Sequence, residues 1–301
     1  MSQELSGEPL VTRFAPSPTG LLHLGHAYSA LFAWRLADAA GGRFLLRIED
    51  IDRGRCRPEF EDAIVEDLAW LGIAWEEPVW RQSERMDAYA DALAKLDAMD
   101  LLYPCFCTRK DIAAEIERSG AAPHPDEPGP DGPVYPGICR GLDPETRAAR
   151  IAAGEPHALR LDMAAATARA GALAWHDRTR GEQRATPEVF GDVVLARKDV
   201  ATSYHLAVTV DDAAQGVTLV TRGTDLFDAT HIHRLLQELL GLAVPEWHHT
   251  PLLTNNDGVR LAKRDRALTL RAMRDAGTDP ADIWAMAIRQ IARGAANNAE
   301  L

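Results

Sequence analysis

The chain has 301 residues, 46% hydrophobic and 26% charged, which is the balance of a globular protein and neither disordered nor fibrous. At about 150 residues per domain it makes one large domain or two modest ones, long enough to bury a core without covalent staples. Thirty-three Lys and Arg face 45 Asp and Glu, a net charge of −12, which excludes coating nucleic acid by bulk charge but allows a local basic groove. No apolar run approaches the roughly 18 residues of a membrane span. The start, MSQELSGEPL, has neither the basic residues nor the apolar stretch of a secretion signal. A cytoplasmic protein is expected.

In chain order, residues 10–14 (LVTRF) read as a short strand, and APSPTG, with two prolines and a glycine, as a loop. From Leu21 apolar residues recur at helical spacing until Gly41-Gly42, a glycine stop. GRFLLRIEDI reads as a strand and PEFEDAIVEDLAWLGI as an amphipathic helix. This alternation predicts a parallel α/β sheet. Residues 81–101 read as helix. Residues 121–136 hold six of the chain's 18 prolines, a density no regular element survives. Beyond them the pattern predicts a helix over 143–153, then strands at ALRLDM, VVLAR, YHLAVTVDD and VTLVTRG. A helix at DATHIHRLLQELLG, a loop over 251–266 and weakly helical segments complete the chain. The layout is an α/β domain interrupted between about 103 and 190.

Five groups of residues carry chemistry. The first is Arg13-Phe-Ala-Pro-Ser-Pro-Thr-Gly20 followed by His23-Leu-Gly-His26, where a strand end meets a helix start. Unpaired N–H groups and the positive end of the helix dipole favour phosphate there. Gly25 permits close backbone approach, and two imidazoles three residues apart share a helix face. Zinc is a rival for the pair, without a third ligand nearby. The second, Arg47-Ile-Glu-Asp50 with Asp52 and Arg53, packs charge at a strand's C-terminal end, and Glu49 suits an ammonium group. The third comprises Tyr204, Asp211 and Arg222, read at or near strand ends. A Tyr hydroxyl with a guanidinium suits a carboxylate. The fourth, Asn255-Asn-Asp-Gly-Val-Arg-Leu-Ala-Lys-Arg264, is a cationic Gly-containing loop able to stabilise a transferring phosphoryl group.

The fifth is Cys105-Phe-Cys107 with Tyr135-Pro-Gly-Ile-Cys139. A cysteine cluster of this kind reads as metal before disulfide. Three thiolates need a fourth ligand for a zinc tetrahedron, either Tyr135 or His124. Such a site would tie together the two ends of the proline-rich stretch. Cys56 stands apart from it. Arg178, Arg180 and Arg184 form a modest basic cluster suited either to RNA or to solvent.

Together and in this order, RFAPSPTGLLHLGHA, LLRIEDIDRGR, GDVVLARKD, YHLAVTVDDA, VTRGTDL and HTPLLTNNDGVRLAKR resemble the catalytic core of class I glutamyl-tRNA synthetases over about residues 10–266. His23-Leu-Gly-His26 is similar to the HIGH signature, and Arg260-Leu-Ala-Lys263 to the KMSKS-type loop. Ala262 and Arg260 depart from the usual Ser and first Lys, whereas Lys263 is kept. Only 37 residues follow Arg264, fewer than the roughly 50 of a minimal domain. No anticodon-binding domain is therefore expected, an architecture that resembles the short paralogues, the glutamyl-Q tRNA(Asp) synthetases. The CxC…YxxxC pattern at Cys105, Cys107, Tyr135 and Cys139 also resembles theirs.

The resemblance implies an α/β, Rossmann-like class I catalytic core with an inserted zinc-binding subdomain and a short helical C-terminal segment. The implied boundaries are 8–102 and 191–250 for the two core halves, 103–190 for the insertion, and 251–301 for the loop and helical end. It implies ATP-dependent activation of glutamate without tRNA, then transfer of glutamate to queuosine in the anticodon of tRNA(Asp). Arg13, Ala15, Ser17, Glu49, Tyr204 and Arg222 would hold glutamate. Arg13 and Arg222 would meet its carboxylates and Glu49 its ammonium. His23, Gly25, His26 and Lys263 would hold ATP, with His23, His26 and Lys263 acting on the reacting phosphates. One structural Zn2+ and Mg2+ with ATP are implied, in a monomer without membrane contact. The alternatives are a truncated glutamyl-tRNA synthetase charging tRNA(Glu) and a non-enzymatic binding module on a synthetase core.

Overall fold

The computed structural model describes residues 9–119, 129–252 and 269–298. Its first half alternates β1 (Val11–Phe14), α1 (Leu24–Ala39), β2 (Arg43–Ile48), α2 (Pro58–Trp70) and β3 (Glu76–Arg81). The three strands pair in parallel in the order β1-β2-β3. The helix expected from Leu21 starts at Leu24, because His23 takes the capping position and accepts from the Gly25 amide. It ends at Ala40, where Gly41 adopts φ +60° and turns the chain into β2.

The chain continues through α3 (Met86–Asp97), β4 (Leu102–Cys105), α4 (Arg109–Ser119), α5 (Pro144–Ala152), β5 (Ala158–Leu161) and α6 (Met163–Ala170). A hairpin of β6 (Ala174–Asp177) and β7 (Gly181–Arg184) follows, then β8 (Val194–Ala196), α7 (Tyr204–Ala214), β9 (Leu219–Gly223), α8 (Ala229–Leu240) and β10 (Glu246–Thr250). The described chain closes with α9 (Leu270–Asp275) and α10 (Pro280–Asn298). β4, β5 and β8 form a small antiparallel sheet. β6 and β9 flank β10 in parallel, so the hairpin extends the sheet of β9 and β10 although it lies within residues 103–190. Among the described residues no helix is long and apolar enough to cross a membrane.

β9 runs beside β1. Thr218 N donates to Val11 O at 3.0 Å, and Val11 N donates to Thr218 Oγ1 at 2.9 Å. From that junction β1 leads through α1 to β2 on one side, and β9 leads through α8 to β10 on the other. The winding direction reverses between β1 and β9, which opens a crevice at the strands' C-terminal ends. Two apolar cores support it. Leu31, Leu46, Ile48, Ile64 and Leu68 pack α1 and α2 on the first sheet, joined by Leu270 and Ile283 from α9 and α10. Tyr89, Leu96, Leu161, Leu195, Leu206 and Leu235 fill the second, between α3, α7, α8 and the small sheet.

One expected strand is a helix. YHLAVTVDD lies in α7, capped by Ser203, whose hydroxyl accepts from Leu206 N. Its Val208-Thr-Val210 run mimics a strand, but burial of residues 206–209, 211 and 212 follows a helix packed on two sides. Tyr204 therefore begins a helix and Asp211 lies near its end, and of that trio Arg222 alone is on a strand. Residues 81–101 likewise hold the end of β3 and α3 rather than one helix. Consecutive helical residues diverge by about 100°, so Asp211 and Asp212 reach different partners. Asp211, fully buried, accepts from Arg85 Nε (2.6 Å), Tyr89 OH (2.7 Å) and Gln82 Nε2 (3.2 Å). It ties α7 to α3 and to the turn before it. Removing one charge of a buried pair strands the other and costs about 3–5 kcal/mol. Asp211→Leu should lose stability of that size in urea denaturation.

Candidate functional site

Arg13 on β1, Arg47 on β2 and Arg222 on β9 sit near the C-terminal ends of strands around the crevice, and all three are buried. Two of the three share one carboxylate. Arg13 donates from Nε and Nη2 to the two oxygens of Asp212 at 2.9 and 3.2 Å, and Arg47 Nη1 donates to Asp212 Oδ1 at 2.8 Å. Burial opposes ionisation of Asp212, but the two guanidinium groups outweigh it and hold its carboxyl below the usual range. Arg13 Nη1 also donates to Thr221 O at 3.2 Å. Arg47 Nη2 donates to Glu49 Oε1 at 3.2 Å, and no hydrogen bond among the described residues reaches Glu49 Oε2. Burial outweighs the nearby Arg47 and Arg13 for Glu49 and raises its carboxyl above the usual value.

Arg222 is different. It is 7% exposed, yet among the described residues no carboxylate lies within 4.0 Å of it. Its partners are neutral. Nε donates to His249 Nε2 (3.1 Å), Nη1 to His233 Nδ1 (3.2 Å) and Tyr204 OH (3.4 Å), and Nη2 to Thr230 Oγ1. His249 faces Arg222 because the two are register partners on β10 and β9. Burial lowers the Arg222 pKa and raises that of Tyr204. A buried cation with hydrogen bonds but no counter-charge is a receptor for an anionic group.

The loop after β1 is held close. Glu49 N donates to Pro16 O and Arg57 N to Pro18 O, each at 3.0 Å. This places half-buried Ala15 and exposed Ser17 beside the start of the turn that carries Glu49. His23 Nδ1 accepts from Gly25 N at 3.1 Å, and His26 Nδ1 accepts from His23 N at 3.2 Å. The rings lie 3.8 Å apart. An accepting Nδ1 puts each neutral ring's proton on Nε2, so both present that donor beside a helix N-terminus. A Cβ at Gly25 would come within 3.0 Å of the His23 ring, so the glycine also makes room for this cap.

Cys105, Cys107 and Cys139 place their sulfurs within 4.8 Å of one another. Cys107 and Cys139 are 3.4 Å apart, and the Tyr135 hydroxyl lies 3.4 Å from Cys105 Sγ and 3.5 Å from Cys107 Sγ. A tetrahedral zinc site with bonds of about 2.3 Å to sulfur and about 2.0 Å to oxygen has S–S edges of about 3.8 Å and S–O edges of about 3.5 Å. The donor set could hold a metal ion. Burial pushes the Cys107 thiol up to about 12 and raises the Tyr135 hydroxyl too. A bound cation would reverse that logic. The Arg160 guanidinium stacks 3.8 Å from the Tyr135 ring centroid.

Of the residues singled out in the sequence, Arg13, Glu49, Tyr204 and Arg222 converge, and the cysteines meet Tyr135. His124, Arg260, Ala262, Lys263 and Arg264 lie outside the described residues. Arg178 is paired with Glu246 at 2.7 Å and Arg180 lies over Phe227 at 4.1 Å, so two of the three basic-cluster arginines have protein partners. Sequence reasoning named Arg47 in the second group without a partner, and it missed the roles of Asp212, His233 and His249. The adjacent Asp211-Asp212 pair was the available signal, hidden by reading α7 as a strand.

The model of the family "tRNA synthetases class I (E and Q), catalytic domain" matches residues 9–298. The chain belongs to the class I tRNA synthetases of the glutamate and glutamine branch. It is a ligase. A protein of Rhodobacter capsulatus named glutamyl-Q tRNA(Asp) synthetase is 52% identical over 279 residues, which cover 91% of this chain and 98% of that one. The glutamate–tRNA ligase of Aquifex aeolicus is 39% identical over 89% of this chain and 54% of its own length. A crystal structure of a glutamate–tRNA ligase from Elizabethkingia meningosepticum in complex with its amino acid matches with a TM-score of 0.73 at 30% identity, over 86% of this chain and 52% of that chain. This chain thus spans about half the length of those two ligases.

The two kinds of arginine in this synthetase core should separate in stability. Arg47→Met strands Glu49 and leaves Asp212 with Arg13 alone, and should cost about 3–5 kcal/mol. Arg222→Met leaves only neutral groups unpaired and removes a buried charge that has no paired carboxylate, and should cost less than Arg47→Met. Urea denaturation of both variants checks the contrast.

Proposed function

We propose that this chain activates glutamate with ATP in the absence of tRNA and transfers the glutamyl group to queuosine in the anticodon of tRNA(Asp). The observation that carries the glutamate site is Arg222, buried and hydrogen-bonded on three sides by neutral groups. A glutamate carboxylate supplies the missing charge, with Tyr204 OH beside it. Arg13 retains N–H donors beyond those used on Asp212 and takes the second carboxylate, while Glu49 takes the ammonium. Ala15 and Ser17 line the same pocket. Transfer to queuosine in tRNA(Asp) is supported by relatives named glutamyl-Q tRNA(Asp) synthetase at 43–52% identity.

In this reading the chemistry is positioning and electrostatics. A carboxylate oxygen of glutamate attacks the α-phosphorus of ATP, the α–β bond breaks, and pyrophosphate leaves. His23 and His26 donate from Nε2 to phosphate oxygens while their Nδ1 atoms hold the start of α1 open to the nucleotide. Lys263 serves the same charge from the loop. Mg2+ accompanying ATP neutralises phosphate charge. No protein nucleophile is needed. Cys105, Cys107, Cys139 and Tyr135 hold one structural Zn2+, which pins the end of β4 to the 135–139 turn. The protein works as a cytoplasmic monomer.

Glutamate-dependent ATP–pyrophosphate exchange is expected with no tRNA present. Labelled glutamate should then pass to tRNA(Asp) carrying queuosine and not to the same tRNA lacking it. Label appearing instead on the 3′ end of tRNA(Glu) would identify the alternative, a short glutamyl-tRNA synthetase. Metal analysis should find zinc in the purified protein and lose it in Cys107→Ser, with a lower melting temperature. Freshly purified protein free of zinc contradicts the metal site.

A further inference from the structure

Arg222 cannot accept a hydrogen bond, because a guanidinium has five donors and no acceptor. That fact dictates the protonation of everything around it. His249 Nε2 accepts from Arg222 Nε at 3.1 Å, so the proton of a neutral His249 sits on Nδ1, where it meets Asp177 Oδ2 at 2.6 Å. His233 Nδ1 accepts from Arg222 Nη1 at 3.2 Å, so its proton sits on Nε2 and donates to His205 Nδ1 at 3.3 Å. His205 then carries its own proton on Nε2, which faces Asp131 Oδ2 at 3.5 Å. Two hydrogen-bonded arms thus run outward from one guanidinium. One is fully buried on β10 and β6, and the other leads from α8 and α7 through half-buried His205 to exposed Asp131.

We propose that His249 and His233 are positioning residues which hold the Arg222 guanidinium in one orientation while leaving its charge unneutralised for the substrate carboxylate. This deepens the glutamate-binding reading above and rests on it. A neutral imidazole does both jobs. A carboxylate at either place would orient Arg222 equally well but would compete with the ligand for its charge. An aliphatic residue would leave the charge available but let the guanidinium swing. Carboxylates pair with the other two arginines, as Asp212 does with Arg13 and Arg47, and Arg13 keeps only its spare N–H donors for a ligand. Imidazoles take that place beside Arg222. Asp177 sits one step back and fixes the tautomer of His249 without touching Arg222. The Asp177 carboxylate also accepts from Thr179 N at 2.8 Å and Arg180 N at 3.1 Å, which keeps it ionised and in place. Burial together with the Arg222 charge pushes His233 well below its ordinary value. Burial also lowers His249 despite its hydrogen bond to Asp177. Both rings thus stay neutral, as acceptors must be.

The test is glutamate-dependent exchange kinetics on the full chain, with a spectroscopic readout beside it. His249→Leu and His233→Leu should raise the KM for glutamate about tenfold or more, the scale of one lost hydrogen bond to a charged group. The KM for ATP should stay within about twofold. His249→Gln and His233→Asn return an acceptor near the lost nitrogen and should recover most of the affinity. His249→Glu also returns an acceptor, but it adds the competing charge and should not recover it. In histidine-labelled wild-type protein, 15N shifts should show His249 protonated on Nδ1 and His233 on Nε2, a result that needs no variant to fold. Arg222→Met is the control for the parent reading. If it leaves the glutamate KM unchanged, the glutamate site itself is wrong. If it raises that KM while both Leu variants do not, or if His249→Glu binds glutamate like wild type, the positioning role alone is overturned. The opposite tautomers would overturn it as well.

Discussion

Two adjacent carboxylates near the end of α7 hold the halves of this molecule together. Asp212 pairs with both Arg13 and Arg47, which lie 199 and 165 residues away along the chain. Asp211 neutralises Arg85, 126 residues away. Each carboxylate is buried, so each contact is worth having only while complete. The helical turn of about 100° between neighbours sends one to the strands and the other to α3. β1 and β9 are thereby clamped side by side, and the crevice between their ends acquires a defined width. Backbone hydrogen bonds from Thr218 fix the register of the same junction.

That clamp explains how the molecule concentrates arginines without losing control of them. Cations drawn into a crevice repel one another and are costly to desolvate. Asp212, with Glu49 beside Arg47, offsets part of this cost for two of them. Arg222 is left with neutral hydrogen-bond acceptors, and among the described residues no carboxylate pairs with it directly. Stability and ligand recognition are opposed at that point. The rest of the sheet, with Trp247 fully buried and Asp177 fixed beneath His249, carries the burden of keeping Arg222 still.

Much of this was legible in the sequence, and the part that was not has a physical reason. Arg13, Glu49 and Arg222 announced themselves because charge at a strand's end in an α/β pattern has few structural uses. The cysteines were legible because their pattern brackets a proline-rich stretch that needs a staple. The identity of α7 was not, because Val208, Thr209 and Val210 are β-branched and the helix is buried on two sides, which erases the 3.6-residue period. With α7 misread, Asp211 and Asp212 could not be assigned different partners. His233 and His249 carry no local signal, since each gains its meaning from register with Arg222 across elements distant in sequence. β6 and β7 escaped notice for a similar reason. They are four residues each, and their place beside β10 is set by pairing rather than by pattern.

Arg222 has no paired carboxylate among the described residues, and we propose that a substrate carboxylate supplies that charge. A crystal structure with glutamate bound tests it most directly. A glutamate carboxylate should lie about 3 Å from Arg222 Nη and Tyr204 OH, with Asp212 still shared by Arg13 and Arg47. Glutamate seated away from Arg222, or a protein carboxylate paired with Arg222 in its presence, would contradict it.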